Sequence, residues 1–415
     1  MKYLGLIIAT LLLLLTCNIS RSAENPDNTR KSRKASRIHA RAVTIDSHND
    51  TPMWFTDSNY NFAADHRNLR PRNRVDLPGM NAGGLDAAFF AVFVGQGERT
   101  DAGNIKAHHD AIRTFNAIHR QLELHYNDIE KAGSVSDLKR VLKTGKKAMF
   151  IGLENGYPIG KELKNVEKFY NLGARYITLC HSKNNDICDS ANDTTEHNGV
   201  SEFGKTVIAE MNRLGMMVDV SHVSDKSFYD AIQLSKTPVI ASHSCARALC
   251  NNPRNLSDDM LKALAEDGGV IQMCILSSYV KTPAPNPERD SAQAALRVKY
   301  RGFKDLNEAE WAKARDEWYA IDDIFPQELA TVADVVDHID HIVKIAGIKH
   351  VGIGTDFDGG GAVKGCEYVS EMESITQELL RRGYSAREIK LIWGKNLLRV
   401  MKKTEKYAAK NIQNI

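Results

Sequence analysis

Eight short apolar runs punctuate the chain. They lie at 42–45 (AVTI), 85–94 (LDAAFFAVFV), 147–153 (KAMFIGL), 174–180 (ARYITLC), 215–220 (GMMVDV), 237–242 (TPVIAS), 269–276 (GVIQMCIL) and 350–355 (HVGIGT). Most are rich in β-branched or aromatic residues and apolar nearly throughout, the pattern of strands covered on both faces. Stretches with helical spacing lie between them. In SEFGKTVIAEMNRLG (201–215) the pattern stops at a glycine, and in NLSDDMLKALAEDGG (255–269) Ser257 is placed to cap a helix that Asp258 and Asp259 favour at its N-terminus. Eight strands joined mostly by helices predict an α/β fold, a (β/α)8 TIM-like barrel. An open doubly wound sheet would put a glycine-rich phosphate turn after the first strand, and DSHND at 46–50 is not one. The segment 280–328 is longer than a barrel connection needs. It is proline-rich at first (KTPAPNPERD), then charged, and is read as a helical insertion between the seventh and eighth strands. An amphipathic helix pair at 385–403 is expected to pack on the outside of the barrel.

The N-terminus belongs to another category. MKYLGLIIATLLLLLTCNIS has one lysine and then an apolar run over 3–15, too short to span a bilayer comfortably and suited to a secretory signal. Its end, Leu14-Leu15-Thr16-Cys17, resembles a bacterial lipoprotein processing site with Cys17 as the lipidated residue; cleavage after Ser22 or Ala23 without lipid is the other route. Residues 1–23 are therefore assigned to a signal, 24–38 to a basic polar linker and 39–415 to one catalytic domain. The expected location is outside the cytoplasm, as a periplasmic protein or a membrane-anchored lipoprotein of a bacterium.

Composition narrows the picture further. At 415 residues, 42% hydrophobic and 26% charged, the chain has enough material for one large core. The net charge of +3 is too small to argue for nucleic acid, and much of it sits in RKSRKASRIHAR at 30–41. The seven cysteines include no paired CxxC spacing, which gives no structural zinc ribbon, although Cys180 and Cys188 are candidates for a loop disulfide.

The chemistry collects where the runs end. In a parallel barrel, catalytic groups come from the C-terminal ends of strands. The first run is followed by His48 and Asp50, the third by Glu154, the fourth by His181, the fifth by His222, the sixth by His243 and the eighth by Asp356 and Asp358. Each alone reads more readily as a turn former, a loop acid, a cap or a core histidine. Only 14 of 415 residues are histidine, yet four of them follow predicted strands, and that coincidence outweighs the separate readings. His48, Asp50, Glu154, His222 and His243 make a mixed nitrogen and oxygen ligand set suited to two Zn²⁺ ions, with Glu154 between them as a bridge. Such a pair can share a hydroxide and lower its pKa towards neutrality.

Taken in order, DSHND, GLENG, LCHS, DVSHVS, ASHSCAR, NPRNLSDDML and GIGTDFDG resemble the membrane (renal) dipeptidase family of zinc peptidases, within the amidohydrolase-type barrels. The resemblance implies the same five ligands. It further implies that His181 binds the scissile carbonyl oxygen, Arg254 the substrate's C-terminal carboxylate, and Asp356 the free α-ammonium and the proton sent to the leaving amine. Tyr279 stands where the family has a substrate-side tyrosine, and Arg247 is a rival to Arg254. The expected activity is hydrolysis of dipeptides, including those with a C-terminal D-residue, by attack of a metal-bridging hydroxide in a homodimeric enzyme. Two other readings stand beside it: the same barrel acting on a lactone, N-acyl amino acid or phosphoester, and a non-catalytic surface binding protein.

Overall fold

The computed structural model describes residues 26–67, 69, 73–303 and 306–412. The predicted signal, with Cys17, lies outside them. Nine strands form one sheet: β1 (Ile45–Asn49), β2 (Ala87–Phe93), β3 (Ile129–Lys131), β4 (Lys147–Glu154), β5 (Ala174–Thr178), β6 (Met217–Asp219), β7 (Ile240–Ser244), β8 (Val270–Met273) and β9 (Val351–Ile353). Eight of them pair in the order β1-β2-β4-β5-β6-β7-β8-β9, every pair parallel. A parallel bridge between Asn49 and Phe357, flanked by Asp356 N–H to His48 O (3.0 Å) and Asp50 N–H to Phe357 O (2.8 Å), completes the circle from β9 to β1. This is the expected TIM-like barrel. β3, which the apolar pattern did not mark, pairs with the first residues of β4, before β5 begins at Ile151's partner Ala174.

Both helices quoted above form with the expected ends. Ser201 accepts from Gly204 N–H and Ser257 from Met260 N–H, and the two helices stop at Gly215 (φ 82°) and Gly268 (φ 83°). The insertion is helical too, with Pro287–Lys299 and Glu308–Ile324 packing Leu296, Tyr300, Ala314 and Ile321 into a small core of their own.

Three expectations need correction. The first strand is not 42–45: it starts at Ile45 and carries Asp46, Ser47, His48 and Asn49, all fully buried. Partners elsewhere in the barrel make this tolerable, because Asp46 accepts from Thr355 N–H and Oγ1–H (both 2.7 Å) and Ser47 donates to Ser242 O (2.6 Å). The described part of the segment 24–38, from residue 26 on, is not a linker, since Pro26–His39 is helical. Its buried Ala35, Ile38 and His39 face the domain, and His39 bonds Thr376 Oγ1 (2.7 Å) and Gly83 O (2.9 Å). Cys180 and Cys188 are free thiols.

The C-terminal pair does more than cover the outside. Leu397, Val400 and Met401 of the helix Asn396–Ile412 join Ile45, Ala87, Ala148, Met217, Ile240 and Val270, each first or second in its strand. The helix thus closes the N-terminal mouth of the barrel and leaves the C-terminal rim for chemistry. Leu397→Ala is expected to lower stability by about 2–4 kcal/mol, read as a shifted urea midpoint at unchanged slope, without reducing the metal content of the folded protein.

Candidate metal centre and active site

The residues singled out in the sequence come to the C-terminal rim or the loops beside it. His48 and His243 lie inside β1 and β7, and Glu154 is the last residue of β4. His181, His222 and Asp356 stand three residues beyond β5, β6 and β9. The turns that present them are unusual. Asn155 (φ 72°), His222 (71°), Asp356 (61°) and Asp358 (67°) are non-glycine residues in the left-handed region, a conformation sustained where the surroundings dictate it.

Glu154 is the hub. Its Oε1 lies 3.0 Å from His222 Nε2, 3.5 Å from His243 Nε2 and 4.0 Å from His181 Nε2, while Oε2 lies 3.4 Å from His48 Nε2. His222 Nε2 and His243 Nε2 are 2.8 Å apart, and His48 Nε2 is 3.4 Å from Asp50 Oδ2. In a tetrahedral site with bonds of about 2.0–2.2 Å, neighbouring ligand atoms stand roughly 3.3–3.6 Å apart; His48 keeps that spacing from Asp50 and Glu154, while His222 stands somewhat closer to His243 and Glu154. Asp356 closes on the His48 side, within 4.8 Å of His48 and Asp50 atoms. The carboxylates are so close that a Cβ at Gly359 would stand 2.1 Å from Asp50 Oδ2 and 2.2 Å from Asp356 Oδ1, which explains the glycine. Asp358, the other aspartate of the motif, turns away and accepts from Thr51 Oγ1–H, Asn73 Nδ2–H and Arg74 N–H.

The electrostatics suit a cation. Burial holds His222 and His243 well below the ordinary histidine pKa, helped by Arg254, so both are neutral imidazoles able to ligate. Burial raises the carboxyl pKa of Asp50 and Asp356, and the neighbouring Glu154 and Asp50 charges raise them further. Burial opposes the proton on His48, but Tyr176, Glu154 and Asp50 together outweigh it and raise its pKa. Crowded carboxylates destabilised by one another, beside neutral imidazoles, form a donor set whose charge a divalent ion balances. Buried His48 Nε2 and Asp50 Oδ1 have no hydrogen-bond partner among the described residues.

Three further groups border the cluster. His181, held at a pKa of about 4 by burial and Arg254, keeps Nδ1 against Ser182 Oγ (2.8 Å) and its ring against Phe93. Arg254 is 3% exposed, donates Nη2–H to His243 O (3.2 Å) and stacks over Tyr279, with its Nε unpaired among the described residues. Arg247, the rival, is spoken for: it forks onto Asp225 at 2.6 and 2.7 Å. Sequence reasoning missed Tyr176, whose Oη sits 2.8 Å from His48 Nδ1, and Ser242, whose Oγ sits 2.9 Å from His243 Nδ1.

A parallel eight-stranded barrel with this donor set at its C-terminal rim is a metal-dependent hydrolase. Residues 32–414 match the family described as membrane dipeptidase (peptidase family M19), and the chain belongs to that family. It is a metallo-dipeptidase. Among its relatives, dipeptidase tcpJ of Claviceps purpurea (strain 20.1) is 32% identical over 88% of this chain and 77% of its own length. Dipeptidase verJ of Clonostachys rogersoniana is 31% identical over 94% and 91%. Among solved structures, the probable dipeptidase PvdM from Pseudomonas aeruginosa superposes with a TM-score of 0.79 at 29% identity, covering 92% of this chain and all of that one (100%).

Because Glu154 touches all four histidines, Glu154→Gln is expected to strip more metal than replacing any single histidine. Metal analysis of the purified variants against His222→Ala and Asp50→Ala checks this.

Proposed function

We propose that the chain hydrolyses the peptide bond of dipeptides and that Glu154, with His48 and Asp50 on one side and His222 and His243 on the other, would hold two zinc ions. One observation carries the reading: the two oxygens of Glu154 face different ligand groups, Oε1 towards His222 and His243 and Oε2 towards His48. When bound, the metals would supply Lewis acidity and lower the pKa of a water molecule at the cluster.

The chain's own residues do the rest. His181 is neutral, and with Nδ1 accepting from Ser182 Oγ–H its Nε2–H is free to donate to the scissile carbonyl oxygen as negative charge grows there. Arg254, already desolvated beside His243, receives the C-terminal carboxylate as a planar fork. Tyr279, under the guanidinium, holds it in plane. Asp356, with its pKa raised by burial and Asp50, is suited to pair with the α-ammonium and to pass a proton to the departing amine. A carboxylate clamp at one end and an ammonium clamp at the other measure the length of the substrate, so dipeptides fit and longer peptides do not. The same proposal includes tolerance of a C-terminal D-residue, export through residues 1–23 and a homodimer.

The test is hydrolysis of a dipeptide panel, including L-Ala-D-Ala and one tripeptide, after chelation and again after adding Zn²⁺. Metal-restored cleavage of the dipeptides alone is the expected result. Arg254→Ala should cost about 2–4 kcal/mol of transition-state stabilisation, roughly 30- to 1,000-fold in kcat/KM, with metal content unchanged. Equal cleavage of the tripeptide would remove the two-ended clamp.

A further inference from the structure

A histidine offers Nε2 to a metal only when its proton sits on Nδ1, so whatever faces Nδ1 decides whether the ring can ligate. At His243 that neighbour is the Ser242 hydroxyl, 2.9 Å away. A serine has one proton to give, and Ser242 Oγ is 2.6 Å from Asp219 Oδ2 but 3.4 Å from Ser221 Oγ. Asp219 is fully buried inside the barrel and is only an acceptor towards its neighbours. Its Oδ2 also takes the Thr178 hydroxyl (2.5 Å), and its Oδ1 takes the N–H groups of Ser221 (3.1 Å) and Ser242 (2.8 Å). The Ser242 proton therefore points to Asp219, a lone pair faces His243, and Nδ1 of His243 must be the donor.

A second connection ends at His48. Tyr176 leaves β5, and its Oη reaches His48 Nδ1 on β1 at 2.8 Å, although β2 and β4 stand between those strands in the sheet. The ring crosses the barrel over β4 at Gly152. A Cβ there would lie 2.1 Å from Tyr176 Cζ and 2.5 Å from its Oη, so the glycine is the room the ring needs. Nε2 of the same imidazole faces Asp50 and Glu154. His222, by contrast, has no hydrogen-bond partner for Nδ1 among the described residues and is set by its left-handed backbone instead.

We propose that Asp219, acting through Ser242, and Tyr176 are positioning residues: the first pair holds His243 with the proton on Nδ1 so that it presents a bare Nε2 to a metal ion, and Tyr176 anchors the His48 ring at Nδ1 so that its Nε2 is turned towards Asp50 and Glu154. The proposal rests on His48 and His243 being ligands. Asp219→Asn makes the sharpest change: the amide can still accept the two backbone N–H bonds, but its NH₂ now donates to Ser242 Oγ. The Ser242 proton then turns to His243 Nδ1 and the ring proton moves to Nε2, where it blocks ligation.

The experiment is competition for zinc between a chromophoric chelator and the folded, zinc-loaded full chain, alongside thermal melting of each variant. Tyr176→Phe, Ser242→Ala and Asp219→Asn should each retain zinc about 10- to 100-fold more weakly than the parent. A purely structural role would lower the melting temperature and leave the zinc affinity of the folded protein where it was; that result for Tyr176→Phe and Ser242→Ala overturns the proposal, and these two variants decide it if Asp219→Asn does not fold. His243→Ala separates the two levels of the argument. Unchanged zinc retention in that variant would overturn the ligand assignment itself, whereas weakened retention there with parental affinity in the other variants would overturn only the positioning role.

Discussion

The rim is organised around a carboxylate that cannot be buried there on its own. Glu154 is 3% exposed at the end of β4, and four imidazoles lie within 4.0 Å of its two oxygens. Burial of an isolated charge is costly, and Asp50 and Asp356 add further negative charge close by. His181, His222 and His243, kept neutral by burial, do not cancel that charge. A divalent cation does. The same physics explains the surroundings: left-handed turns at His222 and Asp356, and a glycine at 359 where two carboxylates converge.

The barrel serves this arrangement by dividing its interior. At the N-terminal mouth, the first residues of the strands and the C-terminal helix make an apolar floor. Above it the interior turns polar, with Asp46, Ser47, Tyr176, Asp219 and Ser242 bonded to one another's neighbours. Satisfied polar groups at that level are rigid, and rigidity is what a constellation of side chains from six strand ends requires.

Much of this was legible in the sequence. The barrel followed from eight apolar runs, and seven ordered motifs carried the family and the residues of the site. What was not legible has physical causes. β1 was misplaced because its side chains are polar and yet buried, so hydropathy marks its beginning and not its body. The segment 24–38 read as a linker because its many basic residues hide a stripe of Ala35, Ile38 and His39 that only a docked helix makes sense of. Tyr176 was concealed by the apolar run around it, since nothing in ARYITLC says that the hydroxyl reaches across the barrel. Asp219 at the end of β6 drew no notice in the sequence, because nothing in GMMVDV marks it as an acceptor in the interior.

The most direct measurement of the central claim is anomalous diffraction at the zinc edge from crystals of the zinc-loaded protein. The account predicts two peaks about 3.5–4 Å apart, on either side of Glu154, one against His48 and Asp50 and the other against His222 and His243. A single peak, or two peaks of which either lies beyond bonding distance of Glu154, would contradict it.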